Sequence, residues 1–222
     1  SQGSPGQFYP VFENVDIDNG IPSNNANCIV QDQWGYIWIG TSKGLSRYDG
    51  SNFKNYLHDP ADSTTLSANS VRALCIDYTG LIWVGTTGGG LNSLDPRTDI
   101  IQRYTHDPDD PTSLSHNEIL SLVEDSHQRL WVGTEEGLNL FNRQEQTFSS
   151  FTHDKDDPTS LGANAVLSIM EDNDQNIWVG TWEGGLHLMT YQDLEGPEKI
   201  LRFKRFQHDI DDPHSISSNH IW

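Results

Sequence analysis

Short apolar runs alternate with turn-forming polar segments along the chain. The clearest runs are Val71 to Ile76, Leu81 to Val84, Leu91 to Leu94 and Ile100 to Tyr104, and they predict four strands of about five residues each. The segment Asp77 to Gly80 predicts a hairpin turn, because Asp bonds downstream backbone amides and Gly tolerates positive φ. No unit shows an apolar period of 3.6 residues, which excludes a helical solenoid.

This four-strand unit recurs, and a tryptophan is its most regular marker. Trp-Val-Gly-Thr or Trp-Ile-Gly-Thr recurs at steps of 45, 48 and 47 residues, at Trp38, Trp83, Trp131 and Trp178. An Asn lies 14 residues before each Trp, and an Asp lies 6 residues before it (Asn24, Asn69, Asn117 and Asn164; Asp32, Asp77, Asp125 and Asp172). A His-Asp pair opens each connecting loop, always 11 residues before the next Asn (His58, His106, His153 and His208).

The distance from His through Asn and Asp to Trp never changes, so we expect contacts among these residues to fix that half of the unit. Gln128 and Gln175 stand where the first two units have Gly35 and Gly80, which predicts strained hairpin turns there.

Four antiparallel strands per unit at this spacing predict an all-β β-propeller. A β-sandwich is the alternative, but it gives no reason for a nearly constant four-strand period. We expect a single partial propeller over residues 1–222, with an incoming outer strand and entry loop at 8–22 and blades at 23–66, 67–114, 115–161 and 162–216. Residues 217–222 would then begin a fifth blade.

One position on each first strand is always small, and the next is always large (Cys28, Ala73, Ser121 and Ser168; Ile29, Leu74, Leu122 and Ile169). We expect the small side chains to face a crowded central channel and the large ones to wedge between blades. On this register Cys28 and Cys75 are two buried thiols rather than a disulfide.

At this level of detail the chain resembles a known family. The string His106 to Asn117, with Glu124-Asp125 and Leu130 to Thr134, is similar to the two-component regulator propeller repeat. It recurs at His153 to Thr181 and, with changes, at His58 to Thr86. The segment Phe12 to Asn24 resembles that family's entry into its first propeller after removal of a signal peptide.

The resemblance implies a periplasmic, ligand-sensing region of a membrane-bound two-component signalling protein, non-catalytic itself and without a cofactor. In that family such repeats form seven-bladed propellers, often in tandem, ahead of a β-sandwich, a membrane helix and a histidine kinase or diguanylate cyclase module. Glycans are its typical cue. Seven blades need about 330 residues, so we expect four blades and part of a fifth. The exposed ends of such an arc favour self-association, and we expect either closure by a partner, such as a second copy, or an arc held open by contacts.

Composition narrows the choice of partner. The 13 Lys and Arg residues against 32 Asp and Glu give a formal charge of −19. That charge excludes nucleic acid and argues against direct binding to an anionic membrane surface. It also disfavours a strongly anionic glycan, and a neutral oligosaccharide is the preferred ligand. The aromatic fraction of 10%, with 7 Trp, argues against a disordered chain.

We expect the ligand on the face that carries the constant-length loops and the turns between second and third strands. Trp182 is the leading candidate, because an indole in a turn can stack on a sugar ring. An alternative role for Trp182 is to cap its own blade or an interface. The other variable positions on this face complete the predicted binding set: Lys43, Asn92, His116, Glu118, Glu135, Asn139, Glu183 and His187.

Two other repeated features suggest chemistry but have structural explanations. The carboxylates of the connecting loops, such as Asp107, Asp109 and Asp110, could bind calcium. The copy beginning Asp59-Pro60-Ala61-Asp62 loses one acid without changing length, so we favour turn formation and predict no metal site. The repeated histidines recur once per unit in one context, which favours a loop anchor over a catalytic role.

Two rival functions remain. A metal-dependent propeller lyase would need a histidine and acid set at the channel mouth, and His116, Glu118, Glu183 and His187 could supply it. A structural platform for protein interaction is the other. We predict no catalytic residues.

Overall fold

The computed structural model describes residues 14–190 and 201–222. The described residues form four antiparallel four-stranded sheets, after a short 3-10 helix at Ile17–Asn19. The first two sheets contain β1 to β8, at Ala26–Gln31, Ile37–Thr41, Gly44–Tyr48, Phe53–Tyr56, Val71–Ile76, Ile82–Thr86, Gly90–Asp95 and Ile100–Tyr104. The other two contain β9 to β16, at Ile119–Glu124, Leu130–Thr134, Gly137–Asn142, Thr147–Phe151, Val166–Glu171, Ile177–Thr181, Gly185–Met189 and Lys204–Phe206.

The sheets are consecutive blades, which confirms the predicted all-β propeller architecture. Each is an up-and-down meander in chain order, and first strands of successive blades pack on one another. The described part of the arc is not closed, and the predicted total of seven blades stays a prediction. The 8–13 part of the predicted incoming strand and entry loop lies outside the described residues, as does the 191–200 part of the fourth blade.

Three hydrophobic cores lie at the blade interfaces. In the first, Trp38 of blade 1 packs with Leu74 and Val84 of blade 2, and the next two interfaces repeat this arrangement. The expectation that the large first-strand residues wedge between blades is confirmed by Leu74, which is buried. Ile29 occupies the same position in blade 1 but is 65% exposed, because no described blade lies in front of it.

The small first-strand residues do not line the channel, so that expectation was wrong. Ala73 faces Gly85 of the neighbouring strand β6. A Cβ added to Gly85 would lie 2.5 Å from Cγ2 of Ile119 in the next blade. Small residues are needed at these positions because the blades pack most closely there. Cys28 and Cys75 are free thiols, as predicted, but each is only partly buried against a separate core; this burial raises the pKa of each to about 11.

The same close contact marks the start of a further blade. The glycine of each Trp-Val-Gly-Thr sequence packs against the residue two positions after the next repeated Asn, as Gly40 does against Val71. Gly180 makes this contact with Ile221, whose N–H donates to the carbonyl of Thr181 at 3.2 Å. Residues 217–222 form no strand, but Ile221 occupies the position that Val71 has on the first strand of blade 2.

The constant spacing of Asp and Trp has a direct physical cause. In every blade the indole Nε1 donates to the carboxylate six residues earlier, over 2.8 to 2.9 Å. The other oxygen of that carboxylate accepts backbone amides of the hairpin, such as those of Thr79 and Leu81. In the last two hairpins Gln128 and Gln175 have φ of 64° and 65°, which confirms the predicted strain.

The repeated histidines are loop anchors, as predicted. The backbone N–H of His106 donates to the side chain of Asn117 at 2.7 Å, and its Nδ1 bonds the carbonyl of Leu114 at 2.6 Å. The three other histidines make the same two contacts. The loop carboxylates of Asp107 and Asp110 accept amides of their own turns. Each loop therefore holds its shape through internal hydrogen bonds.

Candidate functional site

At one end of the arc, every blade presents two side chains from a fixed backbone position, here termed a mouth pair. The residue after the repeated Asn accepts a backbone hydrogen bond of 2.9 to 3.2 Å from the residue after the repeated Thr. The four mouth pairs are Asn25 and Ser42, Ser70 and Thr87, Glu118 and Glu135, and Ala165 and Trp182. The backbone arrangement is thus the same in every blade, while the mouth-pair side chains are neutral and polar in blades 1 and 2, acidic in blade 3, and apolar with one aromatic ring in blade 4.

A cavity of about 480 Å³ opens between the last mouth pairs, and we term it the mouth cavity. Its lining comes from three blades and the start of the next one, and consists of Arg72, His116, Glu118, Leu120, Glu135, Ala165, Leu167, Trp182 and Trp222. The mouth cavity therefore combines an apolar floor with two indoles, one imidazole, one guanidinium and two carboxylates.

Trp182 forms the aromatic wall of the mouth cavity. It remains 42% exposed although its ring contacts His220 at a centroid distance of 4.3 Å. The ring of Trp222 meets it edge-on, with centroids 5.5 Å apart and planes at 87°. Ala165, its partner in the mouth pair, is small and leaves room for the indole. Trp182 thus contacts the next blade and also presents an open face.

The polar wall belongs to blade 3. Glu118 and Glu135 lie opposite each other at the end of the β9–β10 ladder. The backbone N–H of Glu118 donates to Nδ1 of His116 at 3.1 Å. Neutral His116 therefore carries its proton on Nε2, which is available as a donor.

Sequence reasoning placed Trp182, His116, Glu118 and Glu135 together on this face, and the structure brings all four into one cavity. It missed Arg72, Leu120, Leu167 and Trp222. These four share a position, three residues after each repeated Asn, which is the channel-facing register of the first strand. Comparing that position across the units would have found them.

Three other predicted ligand-binding residues do not reach the surface, so their placement was wrong. Asn92, Asn139 and His187 are fully buried on the third strands. Asn92 and Asn139 each accept the N–H of a loop serine at 2.9 Å, that of Ser67 and Ser115 respectively. Nε2 of His187 accepts the corresponding N–H, that of Gly162, at 2.7 Å. All three side chains hold the outer-to-inner loop on its blade.

The residues around His187 explain why this position varies. A Cβ at Gly162 would lie 2.5 Å from the carbonyl oxygen of Gly184 and 2.8 Å from Nε2 of His187, so glycine is required where the loops of blades 2 and 3 have Ser67 and Ser115. In blade 1 the corresponding loop residue is Pro22, which has no N–H, and its third-strand partner is Ser46. The third-strand residue therefore varies with the loop N–H that needs an acceptor. Its variation carries no information about a ligand.

Lys43 and Glu183 lie on the predicted face but outside the mouth cavity. Lys43 is exposed on the turn of blade 1. Glu183 has a φ of 70°, and its carboxylate is 3.8 Å from Nε2 of His220. Gly88 has the same conformation in blade 2, so Glu183 strains the turn that carries Trp182.

The four residues of the lyase hypothesis are not brought together. His116 and Glu118 line the mouth cavity, but His187 is buried beneath the loop, where burial lowers its pKa to about 4. Within residues 14–190 and 201–222, no three His, Cys, Asp or Glu side chains are grouped so as to hold a metal ion. No helix in the same residues has the length and apolar character needed to span a membrane.

Comparison with known proteins agrees with the fold. The extracellular domain of the hybrid two-component system BT3049 from B. thetaiotaomicron superimposes with a TM-score of 0.76 and 25% sequence identity. The match covers 88% of this chain and 26% of that domain. The chain covers 22% of the extracellular domain of BT4673 from the same organism, at 30% identity over 78% of this chain and a TM-score of 0.65. Virginiamycin B lyase from Staphylococcus aureus shares only the fold, with 15% sequence identity and a TM-score of 0.60. That match covers 84% of this chain and 57% of the lyase.

Sequence comparison points the same way. Histidine kinase P4 of Formosa agariphila is 39% identical over 57 residues, which are 26% of this chain and 4% of that protein. The chain thus spans about a quarter or less of these signalling relatives. The profile of the two-component regulator propeller matches residues 20–43, 65–88, 113–136 and 160–183, each containing one repeated Asn, Asp and Trp. This chain therefore carries four repeats of the two-component regulator propeller family.

Proposed function

We propose that this chain is part of the extracytoplasmic, periplasmic sensor region of a two-component signalling protein, and that it binds an oligosaccharide in the mouth cavity without chemical conversion. The observation that carries the proposal is the open indole face of Trp182 inside a cavity of about 480 Å³. The signalling context rests on the four family repeats and on the similarity to extracellular domains of hybrid two-component systems.

The chemistry of the mouth cavity suits a sugar. The C–H face of a pyranose is apolar and packs on an indole, and Trp222 adds a second ring at right angles. Around them, His116 can donate to hydroxyl groups, and Glu118 can accept from them. A few convergent polar groups around an apolar surface are typical of small-molecule sites.

Binding alone is sufficient for such a sensor. The mouth pairs are held by backbone hydrogen bonds, and the blades meet through fully buried tryptophans. A ligand that contacts two or three blades therefore favours one arrangement of them over another. The ligand can then shift the equilibrium of a downstream signalling module, by an amount set by the difference between its affinities for the two arrangements of the blades. The separation of His187 from the cavity favours binding over lyase chemistry.

The proposal is tested by calorimetric titration of the chain with a panel of oligosaccharides. We expect Trp182→Ala to raise Kd by about tenfold for any sugar that binds, from loss of stacking area and ring contact. Trp34→Ala is the matched control, since Trp34 is 50% exposed but lies at a hairpin turn, at the other end of its blade. Equal effects of the two substitutions, or no binding by any sugar of the panel, would overturn the proposal.

A further inference from the structure

The mouth pair of blade 3 places like charges across two strands. The backbone N–H of Glu135 donates to the carbonyl of Glu118 at 3.2 Å, so the two side chains leave neighbouring positions at the end of the ladder. Like charges directly opposite each other destabilise an antiparallel pair. The corresponding pairs in the other blades carry no such repulsion, because they are uncharged.

Neither carboxylate is neutralised within the chain. Among the described residues, Glu118 and Glu135 accept no hydrogen bond through their carboxylates, and no cation lies within 4.0 Å of them. By contrast, the carboxylate of neighbouring Glu136 accepts a hydrogen bond from Asn164 at 2.9 Å. The guanidinium of Arg72 lines the same cavity but forms no ion pair with either carboxylate.

Both carboxylates line the mouth cavity beside an indole. A positive group between them would remove their repulsion and would also interact favourably with the aromatic face of Trp182. The formal charge of −19 raises the local concentration of a cationic ligand further.

We propose that the ligand of the mouth cavity is an amino sugar whose ammonium group lies between Glu118 and Glu135 while its ring packs on Trp182. This inference rests on the proposed function and narrows its ligand class. Neutral sugars lack the group that the acidic mouth pair selects, and anionic sugars are repelled by it. Arg72 lies on the blade 2 side of the cavity and disfavours a second ammonium group there.

The test compares two sugars that differ at one group. A β-1,4-linked trisaccharide with one glucosamine and two N-acetylglucosamine rings and its fully N-acetylated form are titrated against the chain by calorimetry at a pH of about 6, where a free amine is protonated. We expect the amine form to bind at least about fivefold more tightly, with a preference that weakens as salt is added.

Variants then assign the preference to the acidic mouth pair. Glu118→Gln and Glu135→Gln should each remove most of it. Asp174→Asn is the charge-matched control, because Asp174 is exposed on a hairpin turn, away from the mouth cavity, and should leave the preference intact. Arg72→Gln should strengthen binding of the amine form by about twofold to fivefold, the opposite sign to the glutamate variants.

The proposal also predicts a property of the free protein. Relief of the cross-strand repulsion in Glu118→Gln should raise Tm by about 1–3 °C, whereas Asp174→Asn should not. Equal binding of both trisaccharides, or preference for the N-acetylated form, would overturn the amino-sugar proposal and leave oligosaccharide binding in place. Binding of neither form would overturn the amino-sugar proposal, and the wider panel then decides the proposed function separately.

Discussion

The effect of His187→Asn on the free energy of unfolding should reverse in sign between neutral and acidic pH. His187 is fully buried, and its Nε2 accepts the N–H of Gly162 while its Nδ1 donates to the carbonyl of Val179 at 3.2 Å. This neutral tautomer satisfies both partners, whereas protonation would place a second N–H against the N–H of Gly162. Burial is the main cause that lowers the pKa of His187 from 6.5 to about 4.

The sign follows from proton linkage. Between pH 6.5 and about 4 the unfolded chain binds a proton at this histidine that the folded chain does not. The stability contributed by neutral His187 is therefore complete above pH 6.5 and is lost as pH falls toward 4. At a pH of about 4.5 the loss amounts to roughly 2–3 kcal/mol.

The introduced asparagine would supply an acceptor as Asn92 and Asn139 do, but its smaller volume and the lost edge contact with Phe203 cost about 1 kcal/mol. His187→Asn should therefore be less stable than the wild type at a pH of about 7.5 and more stable, by roughly 1–2 kcal/mol, at a pH of about 4.5.

Urea unfolding followed by circular dichroism at both pH values measures the difference. Asn139→Ala is the control: it leaves the N–H of Ser115 without its acceptor and should cost about 1–3 kcal/mol equally at both pH values. A difference between His187→Asn and wild type that is the same at both pH values would refute the reasoning.

Three further predictions follow from the packing. Trp131→Phe should lower the free energy of unfolding by about 3 kcal/mol through loss of its bond to a carboxylate and of buried area, while the half-buried Trp178→Phe should cost about half as much, in urea unfolding. Arg143→Ala, which removes ion pairs of 2.8 and 2.9 Å to Asp77 and Glu124, should cost about 2 kcal/mol in the same assay. The outer side of blade 1, where Ile29 is exposed, forms an apolar end face that should make the 25.0 kDa chain self-associate. Ile29→Glu should shift the mass measured by light scattering toward that of the monomer.

The repeat made the fold predictable to the level of single contacts. A constant distance between Asp and Trp can be recognised without coordinates, and the indole–carboxylate bond is its cause. The anchoring role of the histidines could be predicted for the same reason, since one context recurring in every blade indicates a structural role.

The candidate site was predictable only in part, because variation has two physical causes that look alike in sequence. Trp182 varies because it lies at an open surface, whereas buried His187 varies together with Gly162, the loop residue whose N–H it accepts. Only burial separates the two cases. Trp222 occupies a repeated position that a comparison of the units can find, but its contact with Trp182 depends on how the start of a further blade packs beside blade 4.

The central claim is that a sugar binds in the mouth cavity against Trp182. A crystal structure of the chain with the tightest-binding oligosaccharide tests it most directly. The account predicts a pyranose ring stacked on the Trp182 indole, with polar contacts to the acidic mouth pair of Glu118 and Glu135. Density for the sugar at the hairpin end of the blades, or on the end face near Ile29, with an empty mouth cavity, would contradict it.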